Sequence, residues 1–311
     1  MTDTRPTNRP DRAGYGAALI VFAVFLMALQ DAIIKFASSD LSLWQIYVLR
    51  SAIAVPVLLA ATSRNGDGAA ALRGAFGRWA MLRAALLTGM YVSLYAALPL
   101  LPLATLAAGF YTGPLFIALL SGLATGETVG RRGWLAVAAG FGGVLLILQP
   151  GGSGFSPAVL LPLLSGFFYA VAAVLTRAKC HAERAMTLAI SLNVVLFVAG
   201  GIASFLLLLP VFDDTSLSPF LLGDWTPLDA GDGILVVILA LLIVGIGIAL
   251  AAAYQAARSV VVATFDYSYL VFSAMFGFVF FDERPDLQTV AGMIVIAGAG
   301  LIAVRSRRSP G

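Results

Sequence analysis

Long apolar segments recur along the whole chain, and short polar segments separate them. Hydropathy predicts ten helices, each close to the about 20 residues that a helix needs to cross a bilayer. The segments lack the alternation expected of membrane β-strands, and a helix satisfies its own backbone groups in lipid. The predicted helices cover residues 14–38, 42–62, 76–98, 102–124, 132–149, 157–178, 184–209, 232–256, 259–281 and 286–305.

Composition strengthens this interpretation. The chain of 311 residues is 60% hydrophobic and only 11% charged, whereas a soluble domain is typically about 25% charged. The predicted fold class is therefore all-α integral membrane, with the lipid bilayer as a partner. Cys180 and His181 are the single cysteine and the single histidine, so we expect no disulfide framework, no metal site and no cofactor.

The loop charges predict an orientation. With the N-terminus in the cytoplasm, fifteen of the 19 Lys and Arg residues lie on the cytoplasmic side, which fits the positive-inside rule. We therefore expect cytoplasmic tails at 1–13 and 306–311, an inner (plasma) membrane location and no nucleic-acid partner. The first helix is too long for a signal-peptide core and is expected to be retained. The acidic outer loop 210–231 is interpreted as a solvated connector.

The two halves of the chain resemble each other. GFYTGPLFIALLSGLATGE (109–127) overlays FDYSYLVFSAMFGFVFFDE (265–283), so that Tyr111 meets Tyr267 and Glu127 meets Glu283. Five helices repeated once predict an inverted second copy, because five is odd, and inverted repeats are typical of secondary transporters. We place the first repeat at 14–149 and the second at 150–305. The alternative is that helices rich in Gly and Ala look alike by composition.

Four segments carry a resemblance to a known family: DAIIKFASSDLSLWQIYVLR (31–50), LRAALLTGMYVSLYAALPLLPLATLAAGFYTGPLFIALLSGLATGE (82–127), GFGGVLLILQP (140–150) and FDYSYLVFSAMFGFVFFDERPD (265–286). Over about 14–305 the chain resembles the EamA-type ten-helix branch of the drug/metabolite transporter superfamily. The resemblance implies two inverted five-helix bundles around a central cavity, and movement of small organic metabolites. It is specific for the family and poor for the substrate, since similar transporters carry riboflavin, S-adenosylmethionine or amino acids.

Three charged residues fall inside the first two predicted helices. Asp31 and Lys35 lie four residues apart and share a helix face, and Arg50 is expected at similar depth in the outer half of the membrane. One hypothesis is an ion network among the three that fixes helix packing. The other is a gate or a substrate anchor, because charges inside a membrane are functional candidates by default.

Asp266 is the one charged residue in the run VATFDYSYLVFSAMFGFVFF (262–281). Its spacing to Tyr269, Ser273 and Gly277 predicts a polar or small stripe on one face of a helix. We interpret Asp266 as lining a wet cavity where it binds a proton or a polar substrate group. A salt bridge to Arg258 or Arg83 is the alternative. Relatives in the resembling branch often have an apolar residue or proline here, so no role is inherited.

Several aromatic residues lie within or near the predicted spans. A tyrosine couples an apolar ring to a polar tip, which suits a flat, partly polar ligand, whereas ordinary packing or interface anchoring is the alternative, favoured for most of these residues. Tyr91, Tyr111 and Tyr269 are the aromatic residues that we place in the candidate site. The wider set is Tyr91, Tyr95, Phe110, Tyr111, Tyr254, Tyr267 and Tyr269.

The sequence thus predicts a secondary transporter of a small organic metabolite, with riboflavin or a similar planar vitamin or nucleoside-like solute named first. An amino-acid or S-adenosylmethionine transporter is the alternative within the fold. A membrane-embedded enzyme or a structural membrane protein is the alternative from another class. No phosphate-binding Gly-Lys loop and no catalytic motif occur in the sequence, so we predict no enzyme activity. The oligomeric state stays open.

Overall fold

A computed structural model describes residues 13–64, 66–125, 131–148, 156–180, 183–209, 218–256, 262 and 265–306. These residues are helical apart from turns and short connections. The helices are α1 (Ala13–Ala37), α2 (Leu43–Ser63), α3 (Gly68–Ala75), α4 (Arg78–Ala96), α5 (Leu103–Phe110), α6 (Gly113–Thr125), α7 (Arg131–Leu148), α8 (Leu160–Lys179, preceded by a 3₁₀ turn at Pro157–Val159), α9 (Ala185–Leu206), α10 (Pro219–Leu222), α11 (Ala230–Ala256), α12 (Ser268–Phe281) and α13 (Leu287–Ser306).

Each span predicted from hydropathy contains a helix, and most coincide with a single helix. Five helical segments are long and apolar enough to cross a membrane, and four further apolar helices are shorter. The all-helical fold is therefore confirmed for the described residues. The five long segments are Gly14–Ala37, Leu43–Ser63, Pro157–Lys179, Ala185–Leu206 and Ala230–Leu250, and the four shorter ones are Leu103–Ile117, Val137–Ile147, Ser268–Phe281 and Leu287–Ala299.

The fourth predicted helix is interrupted between α5 and α6. Pro114 has no N–H to donate to the carbonyl of Phe110, and its ring crowds that carbonyl. The chain responds with a tight turn in which the N–H of Thr112 donates to the Gly109 oxygen at 3.3 Å. Tyr111 sits at this interruption and is 3% exposed.

A second interruption precedes α12, at Tyr267. Residues 265–266 are helical, Tyr267 is in a turn, and the N–H of Leu270 donates to the Tyr267 oxygen at 3.1 Å. Helix α12 contains no proline, and nothing in its sequence explains the break. The Tyr111 and Tyr267 rings pack edge to face, with centroids 5.2 Å apart. The two interruptions therefore meet inside the bundle.

The main helix–helix interfaces join elements that are distant in the sequence. Helix α1 packs on α11 and α12, and α8 packs on α4 and on the α5–α6 pair. Helix α2 packs on α9 and α11, and α9 packs on α2 and α4. The remaining large interface joins α7 to α13, where Gly292 comes so close that an added Cβ would lie 2.7 Å from the Gly143 oxygen.

Polar and apolar residues are placed as in a bundle surrounded by lipid. Large apolar side chains such as Phe22, Leu135, Val271 and Ile294 point outward and are more than half exposed. In contrast, the aromatic and charged side chains of the interior are almost completely covered. This inversion is expected where lipid, and not water, surrounds the helices.

Candidate functional site

Asp31 is the centre of a buried polar cluster near the C-terminal end of α1. Its carboxylate belongs to a residue only 5% exposed. The Tyr95 hydroxyl on α4 donates to Oδ1 at 3.1 Å, and the Tyr269 hydroxyl on α12 donates to Oδ2. The amide of Gln30 donates to the Tyr95 oxygen at 3.1 Å. One carboxylate thereby ties three helices together.

Arg50 on α2 is the opposite charge in this region and is completely buried. All three guanidinium nitrogens lack a hydrogen-bond acceptor among the described residues. The guanidinium carbon lies over the rings of Tyr47 and Tyr91, at 5.5 and 5.9 Å from their centroids. Arg50 forms no ion pair with Asp31, although it is close enough for its charge to act on that carboxylate. A buried cation without acceptors is costly.

Tyrosine rings surround the two charges. Tyr91 and Tyr95 have centroids 5.6 Å apart, and Tyr47 and Tyr95 have centroids 6.3 Å apart. On the other side of Asp31, the Tyr111 and Tyr269 rings stack at 5.1 Å with 17° between their planes. We name these residues together the Asp31 cluster: Gln30, Asp31, Tyr47, Arg50, Tyr91, Tyr95, Tyr111 and Tyr269.

Lys35 does not belong to this cluster, and the predicted ion network of Asp31, Lys35 and Arg50 is wrong. Lys35 lies one helical turn beyond Asp31, near the C-terminal end of α1. Its Nζ lies 2.5 Å from Glu283 Oε1 and donates to the Leu101 oxygen at 2.6 Å. The second Glu283 oxygen accepts the Leu103 N–H at 2.8 Å, so a carboxylate caps the N-terminus of α5. We name Lys35, Leu101, Leu103 and Glu283 the Lys35 clamp.

Asp266 is half-buried just before the turn at Tyr267 and borders the Asp31 cluster through Tyr111. The Tyr111 hydroxyl donates to its backbone oxygen at 3.0 Å. The turn interrupts the predicted stripe, so the continuous buried face of α12 starts at Tyr269 and continues through Ser273 and Gly277. Arg83, one proposed partner, donates instead to Thr176 Oγ1 at 2.8 Å. The other, Arg258, lies outside the described residues, as does Glu127.

Sequence reasoning missed three contributors to these sites. Tyr47 lies three residues before Arg50, so helical spacing could have paired them. Gln30 directly precedes Asp31 and bonds to the same tyrosine. Glu283 pairs with Lys35, and no sequence signal links the two residues, which lie 248 positions apart.

An open groove of about 650 Å³ lies elsewhere, where the end of α1 meets the connector before α11. Its lining includes Phe36, Asp40 and Thr226. Thr226 hydrogen-bonds to Gln45 and to the Asp40 backbone, so this part of the connector fastens the start of α2. We consider the groove secondary, because it lacks the buried charges of the Asp31 cluster. No group of three or more metal-ligating side chains occurs among the described residues.

Buried charges enclosed by an apolar, all-helical bundle define a multi-pass membrane protein with a polar interior site. The chain belongs to the EamA-like transporter family, whose sequence profile matches residues 14–149 and again 156–305. This family is part of the drug/metabolite transporter superfamily. The sequence-based family assignment is thus confirmed, and the role of a membrane transporter follows from it.

Curated relatives of this family match nearly the whole chain. The chain is 29% identical to a riboflavin transporter of Rhizobium johnstonii, covering 98% of this chain and 96% of that one. It is 28% identical to a pseudopaline exporter of Pseudomonas aeruginosa, covering 94% and 97%. It is 23% identical to an S-adenosylmethionine uptake transporter of Rickettsia prowazekii, covering 94% and 93%.

A solved crystal structure has the same fold. It aligns with a TM-score of 0.62 at 20% sequence identity, over 94% of this chain and 99% of the other. At this identity the match supports the fold alone.

The hydrogen bond from the Tyr269 hydroxyl to Asp31 can be tested by removing the hydroxyl. Tyr269→Phe leaves a buried carboxylate oxygen without that donor, which we expect to cost about 1–3 kcal/mol of stability. Tyr267→Phe is the matched control, because the Tyr267 hydroxyl is buried and has no hydrogen-bond partner among the described residues. The measurement is the thermal unfolding midpoint of each purified variant in detergent. Equal midpoints for the two variants would contradict the role assigned to the Tyr269 hydroxyl.

Proposed function

We propose that the protein is a secondary transporter that moves a small organic metabolite across the inner membrane by alternating access. In this proposal ten helices cross the membrane as two inverted repeats, 14–149 and 150–305, with both termini in the cytoplasm. The observation that carries the proposal is the Asp31 cluster, a buried charged site enclosed by tyrosine rings within a family of transporters.

Three observations support the repeat. The family profile matches the chain twice in succession. Helix contacts of the first half have counterparts in the second, as when α1 packs on α11 and α8 packs on α4. Both interruptions fall at aligned positions, Tyr111 and Tyr267, and broken helices near the repeat interface are typical of transporter binding sites.

The charge distribution supports the proposed orientation. The end at which α4 begins, α8 ends and α9 begins carries Arg78, Lys179 and Arg184, and Arg184 pairs with Asp67. At the other end Lys35 is held by Glu283. A membrane protein with its basic end in the cytoplasm places the Lys35 clamp on the outer side.

Both proposed halves contribute to the Asp31 cluster, as alternating access requires. Asp31, Arg50 and Tyr95 come from the first half, whereas Tyr269 comes from the second. Rocking of one half against the other would open the site to each side of the membrane in turn. Asp266, beside the Tyr267 interruption, is a second candidate for contact with substrate or a proton on the cytoplasmic side.

Riboflavin is the substrate that we name first. The tyrosine rings of the cluster offer faces on which a flat ring system stacks, and one relative at 29% identity is named a riboflavin transporter. S-adenosylmethionine and amino acids are the alternatives. The pseudopaline exporter among the relatives shows that direction of transport is not common to all of them.

Uptake into proteoliposomes tests the proposal. We expect saturable entry of one solute from a panel of riboflavin, S-adenosylmethionine and several amino acids, measured with and without a pH gradient. Asp31→Asn is expected to reduce the initial rate at least about tenfold, which corresponds to roughly 1.4 kcal/mol. The physical reason is that Asp31 holds Tyr95 and Tyr269 in place.

Asp40→Asn is the matched control for this experiment. Asp40 is an exposed acid just beyond α1, and its carboxylate accepts a hydrogen bond from Ser39. Its substitution is expected to leave uptake unchanged. Flat traces for every solute, from protein shown to be folded and inserted, would contradict the proposed substrates. Full activity of Asp31→Asn would remove the Asp31 cluster from the mechanism.

The Lys35 clamp is proposed to close the outer end of the transport path. Glu283→Gln weakens the ion pair and the cap on α5 and should populate the outward-open state. The readout is the alkylation rate of a cysteine placed at Leu98, which is fully buried and lies between Tyr95 and Leu101. The native Cys180 is first replaced by serine. We expect alkylation from outside to accelerate roughly tenfold.

Arg284→Gln controls for the clamp experiment, because Arg284 is exposed and pairs only with neighbouring Asp282 among the described residues. It should leave the alkylation rate unchanged. The charge-exchanged pair Lys35→Glu with Glu283→Lys should return the rate toward that of the intact clamp. Equal rates for Glu283→Gln and the parent would show that the clamp is no gate.

A further inference from the structure

We propose that Arg50 selects the substrate by donating hydrogen bonds to the conjugated acceptors along one edge of a flat, uncharged ring system. The chemical class is a cyclic imide or ureide fused to an aromatic ring. This inference rests on the proposed transport function and names the substrate class of the same site.

Arg50 carries a set of unused hydrogen-bond donors. A guanidinium presents N–H groups in a planar fork that matches two neighbouring acceptors. Here Nε, Nη1 and Nη2 all lack an acceptor among the described residues, and the side chain is completely buried. The adjacent rings of Tyr47 and Tyr91 offer only π-faces to the cation. The missing acceptors must therefore come from a bound molecule or from water.

Two other polar atoms of the Asp31 cluster also lack partners. The hydroxyl of Tyr47 and the side-chain oxygen of Gln30 have no hydrogen-bond partner among the described residues. Arg50 and the Tyr47 hydroxyl can donate, whereas Gln30 Oε1 can only accept. A ligand that satisfies the free groups of the cluster must therefore present several acceptors together with an N–H donor. A cyclic imide, with an N–H between two carbonyls, carries both kinds of group on one edge.

The charge balance of the Asp31 cluster bears on whether its ligand is charged. Asp31 lies close enough to Arg50 for the two charges to act on each other, and with Asp31 ionised the two charges would cancel. A carboxylate or phosphate bound at Arg50 would leave a net negative charge in a buried site, which is costly. A neutral acceptor edge satisfies the guanidinium without adding charge. The cluster therefore favours uncharged flat solutes over amino-acid carboxylates.

Binding of tritiated riboflavin to the purified protein in detergent tests this inference. Arg50→Lys keeps the charge and removes the fork, and we expect it to raise the Kd for riboflavin about tenfold or more. 2-Thioriboflavin and 4-thioriboflavin replace one carbonyl each by a poorer acceptor, and at least one should compete several-fold more weakly than riboflavin. That loss should disappear in Arg50→Lys. The thermal unfolding midpoint of Arg50→Lys is measured to show that it is folded.

The thio-analogue comparison needs no variant, so it decides the question even where Arg50→Lys does not fold. An unchanged Kd in folded Arg50→Lys, or equal competition by riboflavin and both thio-analogues, would overturn the role of Arg50 and leave riboflavin transport standing. Tighter binding of a carboxylate solute than of riboflavin would overturn the uncharged class but keep the transporter. Absence of binding for every solute would contradict the proposed function and this inference together.

Discussion

Two opposite charges buried inside an apolar bundle are the constraint on which the rest of the structure depends. Asp31 and Arg50 lie on consecutive helices of the chain, α1 and α2, and both side chains are buried. Asp31 is satisfied by hydroxyls from α4 and α12, and that requirement fixes how three helices meet. Arg50 finds no acceptor for its guanidinium donors in the part of the chain that the structure describes. A site in which the carboxylate is hydrogen-bonded and the guanidinium is not is suited to binding a ligand that supplies the acceptors.

The Asp31 cluster and the Lys35 clamp share helix α1, and α12 connects Tyr269 of the cluster to Glu283 of the clamp. Helix α1 carries Asp31 and, one turn later, Lys35. Helix α12 carries Tyr269 and runs directly into Glu283. A ligand that displaces the Tyr269 hydroxyl from Asp31 would shift the same two helices that the Lys35 clamp joins. In the proposed mechanism, substrate binding and gate opening act on the same helix pair, so no intermediate element is needed to couple them.

Much of the fold could be predicted from the sequence, because hydropathy alone governs where a helix can sit in lipid. Pro114 explains the interruption next to Tyr111, because proline has no N–H to donate within a helix. The interruption at Tyr267 could not be predicted, since no proline or glycine marks it. Helical spacing placed Tyr269, Ser273 and Gly277 on one buried face of α12, whereas Asp266 lies before the turn at Tyr267.

The contacts of the charged residues were harder to predict. Helical spacing puts Asp31 and Lys35 on one face, yet their partners are set by tertiary packing. Lys35 meets Glu283 from the far end of the chain, and Asp31 meets Tyr95 and Tyr269 from two other helices. Spacing along one helix carries no information about which distant helix lies opposite. For the same reason a three-way ion network looked plausible from position alone.

The most direct measurement for this account is an experimental structure with a transported solute bound. The account predicts that the solute lies within the Asp31 cluster, with its flat face against a tyrosine ring and its acceptor edge within hydrogen-bonding distance of the Arg50 guanidinium. A solute bound elsewhere, for example in the groove near Asp40, with Arg50 still without an acceptor, would contradict the account.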